Sequence, residues 1–154
     1  MKNLKNILML LLAMMPLICC ESTRTAVFDH YSYQKTTEIK IETSRLVGKA
    51  ATAYAANREE IDALMLNIEK LAEYEKNKPD NQITIAMWKV LSDPEKNLLG
   101  GFIKLWKEKG TLNPVFVEES KKQILEAIDL LIQYEIKKDK DSKNKLLNLI
   151  SLTK

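Results

Sequence analysis

The chain has 154 residues, with 24 Lys and Arg against 21 Asp and Glu and a formal charge of +3. Two of the lysines, Lys2 and Lys5, fall in the first twenty residues, so the remainder is nearly neutral and lacks the basic footprint of a nucleic-acid binder. Both cysteines, Cys19 and Cys20, also lie there, which leaves the rest of the chain no disulfide and no cysteine metal site.

Lys2 and Lys5 precede an apolar run from Ile7 to Ile18, broken only by Pro16. The run is too short to cross a bilayer, which takes ~20 apolar residues, and matches the apolar region of a secretory signal. No small-x-small cleavage site follows it; Leu17-Ile18-Cys19-Cys20 does. This stretch resembles the lipobox of bacterial lipoproteins, in which a Leu stands three residues before an invariant Cys, with small residues between. With Cys20 as that Cys, Leu17 takes the Leu position; with Cys19, Pro16 takes it, a poorer match. The resemblance covers residues 1–20 alone. It implies cleavage before Cys20, a diacylglyceryl thioether on Cys20 and often an acyl group on the new amine. One acyl chain holds a protein to a membrane only marginally, whereas two or more hold it stably. An ordinary cleaved signal and an uncleaved signal anchor are the competing readings. The expected location is the bacterial cell envelope, at the outer membrane if the cell is Gram-negative.

After a signal of residues 1–19, residues 20–31 read as the lipidated Cys and a tether. Val27 to Tyr33 carries three aromatics, Phe28, Tyr31 and Tyr33, and is expected to dock on the folded part. Residues 32–138 read as a helical domain and 139–154 as a charged tail with a short amphipathic segment. Scarce Gly and Pro, with abundant Lys, Glu, Leu and Ala, favour helix. The fold class is all-α: an antiparallel bundle of three to four main helices with a long first helix.

That first helix is expected over about 32–76. Ile61, Leu64, Ile68 and Leu71 line one face, and the register runs back through Asn57, Tyr54, Ala50 and Val47. The alternative is a break near Asn57, with Asn57 and Glu60 as a cap. Unbroken, the helix would outrun its neighbours and leave Leu46 and Val47 on an exposed apolar stripe for a partner or for self-association. Pro79 ends the helix. Residues 84–91 form a short helix with Met87, Trp88 and Leu91 apolar. Ser92-Asp93-Pro94-Glu95 reads as a fresh helix start, and the costly Gly100-Gly101 pair as close packing against the Ala-rich stretch 48–56 or as a kink. Asn113-Pro114 opens the last long helix, whose apolar face is Val117, Ile124, Leu125, Ile128, Leu131 and Ile132. Leu146 to Leu152 is expected to dock as a final turn or two.

Chemistry is sparse. The single histidine, His30, follows Asp29, but adjacent residues do not naturally face one another, and a polar position near the tether is the simpler account. No Glu-x-x-His, Gly-rich phosphate loop or Gly-x-Ser-x-Gly occurs. Glu59, Glu60, Asp62, Glu69, Glu73 and Glu75 lie among lysines and read as a solvated face. Trp88 and Trp106 are candidate binding residues, since indoles are enriched in hot spots, with core packing as the alternative. The expectation is therefore a membrane-anchored protein that is not an enzyme, needs no cofactor or metal, and acts by binding. Adaptor, scaffold and inhibitor roles fit, including immunity or exclusion. The alternative is an enzyme using carboxylates on an envelope substrate.

Overall fold

A computed structural model of the chain describes residues 26–153. The signal, Cys20 and the tether up to residue 25 lie outside the described residues. Within them run α1 (His30–Val47), α2 (Arg58–Lys76), α3 (Gln82–Ser92), α4 (Leu99–Lys109), α5 (Pro114–Lys137) and α6 (Lys140–Leu152), with a 3-10 turn at Tyr54–Asn57 and no strand. The fold is all-α. None of these helices is long and apolar enough to cross a membrane.

Five helices close a ring around one core: α1 packs on α2, α2 on α3, α3 on α6, α6 on α5, and α5 back on α1. Neighbours in the ring are antiparallel except α3 and α6. The α1 start, the α2 and α5 ends and the α3 and α6 starts all gather at one end of the bundle. α4 packs on α3 and on the 3-10 turn at the other end. The predicted apolar faces are buried at Ile61, Leu64, Ile68 and Leu71 on α2, and at Val117, Ile124, Ile128, Leu131 and Ile132 on α5; Leu125 alone of those named is only half-buried. Asn113 accepts a hydrogen bond from the Val115 N–H at 2.9 Å with Pro114 in the first turn, so α5 starts where its cap places it. The C-terminal segment forms all of α6, capped by Asp139 through the Ser142 N–H, with Leu146 fully buried against the bundle.

The long first helix is not continuous. α1 stops at Val47 and the chain turns between residues 48 and 57, earlier than a cap at Asn57 would place the break. The cause is tertiary. The Ala50 carbonyl accepts from the Leu112 N–H (2.9 Å), the Tyr54 N–H donates to the Gly110 carbonyl (2.8 Å), and the Trp106 indole donates to the Thr52 carbonyl (3.0 Å). These bonds replace the helical ones that residues 50–54 would otherwise make. Asn57 makes no capping bond to α2; its amide closes the loop onto Thr52 and the Ala53 carbonyl, and Glu60 pairs with Lys49. With the chain folded back, Leu46 and Val47 are 3% and 1% exposed, so the expected apolar stripe does not exist.

The restart at Ser92 also differs. Ser92 is the last residue of α3, its hydroxyl donating to the Trp88 carbonyl, and Asp93 caps a turn at Glu95 instead of a helix. A Cβ on Gly100 would run into the carbonyl oxygens of Ser92 and Asp93, and one on Gly101 into that of Lys96. The glycine pair therefore faces the α3–α4 connection; α4 meets the Ala-rich stretch through Trp106 instead.

Candidate functional site

Two sites stand out, one at each end of the bundle. The first is a buried charge cluster where the chain enters the domain. The Asp29 carboxylate caps α1 through the Tyr31 and Ser32 N–H groups, at 2.9 and 3.3 Å. Its other oxygen accepts from the Tyr74 hydroxyl (2.8 Å) and lies 3.3 Å from Lys78 Nζ. The Asp29 N–H donates to Glu135 on α5 at 2.8 Å. Lys78 Nζ also donates to Ser32 (2.8 Å) and pairs with Glu75 (3.1 Å), while Lys138 pairs with Glu135 at 2.7 Å. Asn81 donates to Glu75, and the Ala26 N–H bonds the Asp80 carbonyl. Glu75 and Glu135 are 1% and 3% exposed.

This cluster ties the start of α1 to the ends of α2 and α5 before the chain leaves toward residue 25. Burial alone would raise the Asp29 carboxyl. The Tyr74 and Ser32 hydrogen bonds and the Lys78 charge outweigh it and hold the group below the ordinary carboxylate range. The neighbouring Tyr134 phenol is pushed up, first by burial and then by Glu135. The Val27–Tyr33 segment is tied to the domain by Asp29 and not, as expected, by its aromatics: Phe28 and Tyr31 are exposed, and only Tyr33 packs partly against the core. His30 itself is exposed.

Glu75 does not lie on the expected solvated face; it is buried. A signal was available: Glu75 continues the buried Leu64, Ile68, Leu71 register of α2, as Glu135 continues Ile124, Ile128, Leu131 on α5. A charged residue on the apolar register of a helix marks a buried polar junction.

The second site is a groove of about 550 Å³ between α4 and α5 at the opposite end. Leu98, Phe102, Leu105, Phe116 and Ile124 form its apolar part, and Phe102 and Phe116 stack with ring centroids 6.2 Å apart. Phe116 and its neighbour Val115 are 43% and 72% exposed, large apolar groups left open to water. Glu95 and Lys104 pair across the rim at 2.6 Å, and that hydrogen bond raises the Lys104 pKa. From Phe116 to Glu135 is about 28 Å along α5 at 1.5 Å per residue, so the two sites sit at opposite ends of the molecule.

The named candidates fall elsewhere. Leu46, Val47, Trp88 and Trp106 are all core: Trp88 and Trp106 are 1% and 0% exposed, and Tyr54 meets Trp106 edge-on at 5.6 Å. The structure brings none of the four to a surface, so the partner-binding expectation for them is corrected. Their physical role is to fill the bundle, Trp106 by pinning α4 to the 48–57 turn. Among the described residues no group of three or more His, Cys, Asp or Glu is placed to hold a metal ion. The groove's carboxylates, Glu95 and Glu108, are exposed. The chain matches no family model, no curated protein and no solved structure.

Proposed function

We propose that the protein is a bacterial envelope lipoprotein, anchored through acyl chains on Cys20, that acts by binding a protein partner in the α4–α5 groove. The observation that carries this reading is the groove itself. It has the volume range of a binding cleft, an apolar floor and a rim of both charge signs. That combination suits a peptide or helix with one apolar face, the helix-in-groove mode of recognition. It lies at the end of the bundle away from residue 26, where an anchored domain presents it outward. Adaptor, scaffold and inhibitor roles all use such a surface, and immunity or exclusion is the inhibitor case.

A photo-cross-linking residue placed at Phe116 in the cell tests the binding surface. The reading expects a discrete adduct from Phe116, none from exposed Ile41 on α1, and loss of the adduct when Gln123→Trp fills the groove without unfolding the domain. The same adducts from both positions, or none from Phe116, would remove the groove from the account. Mass spectrometry of the mature N-terminus tests the anchor. It expects acylated Cys20, lost in Cys20→Ala and retained in Cys19→Ala; a free, unacylated N-terminus would sink it.

A further inference from the structure

Around the charge cluster, the tether end exposes a set of apolar and aromatic side chains. Val27 is 84% exposed, Phe28 47%, Tyr31 46% and Tyr74 40%. All four belong to the tether end of the bundle, around the start of α1 and the end of α2. Tyr31 lies over Tyr74 with centroids 4.7 Å apart, Phe28 approaches Tyr33 at 6.2 Å, and Val27 adjoins Phe28. The Tyr74 hydroxyl is used inward on Asp29, so what its ring presents outward is apolar.

We propose that this patch rests on the lipid bilayer, its rings and Val27 in the interfacial layer. The proposal depends on the anchor reading. Cys20 lies six residues before Ala26, and ~3.3–3.6 Å per extended residue limits the separation to about 20 Å. The end of the domain at which the chain leaves is thus held within reach of the acyl chains, and the patch is at that end. Aromatic side chains favour the membrane–water interface because an apolar ring and a polar environment are both satisfied there. The contact is apolar rather than electrostatic. Three lysines of this end face carboxylates, Lys76 with Glu73, Lys78 with Asp29 and Glu75, and Lys138 with Glu135. The proposed contact relies on the rings and Val27, and so is expected on neutral as well as anionic lipid. The Asp29 cluster positions the patch: it locks residues 26–32 onto α2 and α5, so the domain stands in one orientation instead of swinging on its tether.

The test uses the full, lipidated chain in phosphatidylcholine vesicles and in vesicles with added phosphatidylglycerol. The chain has no thiol after Cys20, so Val27→Cys or Glu119→Cys gives a single site for a spin label. Accessibility to lipid-soluble oxygen and to an aqueous nickel chelate is then compared. The expected result is a Val27 label several times more accessible to oxygen than to nickel, in both lipids, and the reverse at Glu119 on α5. A Val27 label that stays open to nickel while the protein sediments with vesicles overturns the patch and leaves the anchor standing. Protein that neither carries acyl chains nor sediments overturns the anchor and, with it, this inference. A Val27 label immobilised in detergent without vesicles assigns the patch to a second copy of the chain and likewise overturns it.

Discussion

At the tether end, charged groups are inside and apolar groups outside: Glu75 and Glu135 are buried and paired, while Val27, Phe28 and Tyr31 face water. At the groove end, the charged pair Glu95–Lys104 is exposed on a rim above Leu98, Phe102 and Ile124. Both ends show apolar surface, but only one of them is also tied internally by buried ion pairs. Buried pairs are poor sources of net stability and costly to break. They fit a place where one geometry must be held. Exposed pairs contribute little and leave a surface free to adapt. The difference between the ends supports the proposal that one end orients the domain and the other recognises a partner.

The largest expected effect lies between the two ends. Leu46→Asp with Val47→Asp buries two unpaired charges in the core, and loss of the folded state in circular dichroism is expected at a cost above about 4 kcal/mol. Survival of the fold would return these residues to a surface role. Next comes Lys78→Met, which leaves Glu75 and Asp29 without their shared cation. The expected loss is ~3–5 kcal/mol, read by urea denaturation. The matching change at the groove end, Lys104→Met, should leave the melt unchanged, and equal effects at both ends would erase the contrast. Gly100→Ala pushes a methyl group into the Ser92 and Asp93 carbonyls and should cost ~1–3 kcal/mol. It should also alter the groove, since α4 must shift outward. The smallest effect concerns pH. Asp29 has a depressed pKa in the folded state, so its contribution is complete above the unfolded value of ~3.9 and is lost as pH falls through the lower folded value. Asp29→Asn should therefore flatten the acid limb of stability against pH below about 4, while wild type keeps it.

Much of the fold is local and so is legible in the residues. Asn113-Pro114 places α5 by capping, and Ile61 to Leu71 gives the buried face of α2 by periodicity. The end of α1 is only partly local. Gly48 stands at the C-terminal cap and is the one local signal for the stop, but residues 49–56 contain no Gly or Pro, and the bonds that fix the fold-back, from the Ala50 and Thr52 carbonyls and the Tyr54 N–H, go to residues 106–112. The same holds for the groove, which joins α4 to a distant part of α5. Glu75 lay between: its type suggests water, its register suggests core, and the register decided.

The central claim is that the groove faces away from the membrane while the tether end lies on it. Energy transfer from a donor on Glu119→Cys to acceptors in the vesicle surface tests it directly, with Val27→Cys as the near reference. The account predicts weak transfer from Glu119, consistent with a height of about 24 Å or more, and strong transfer from Val27. Strong transfer from both positions would put the groove against the bilayer and contradict the account.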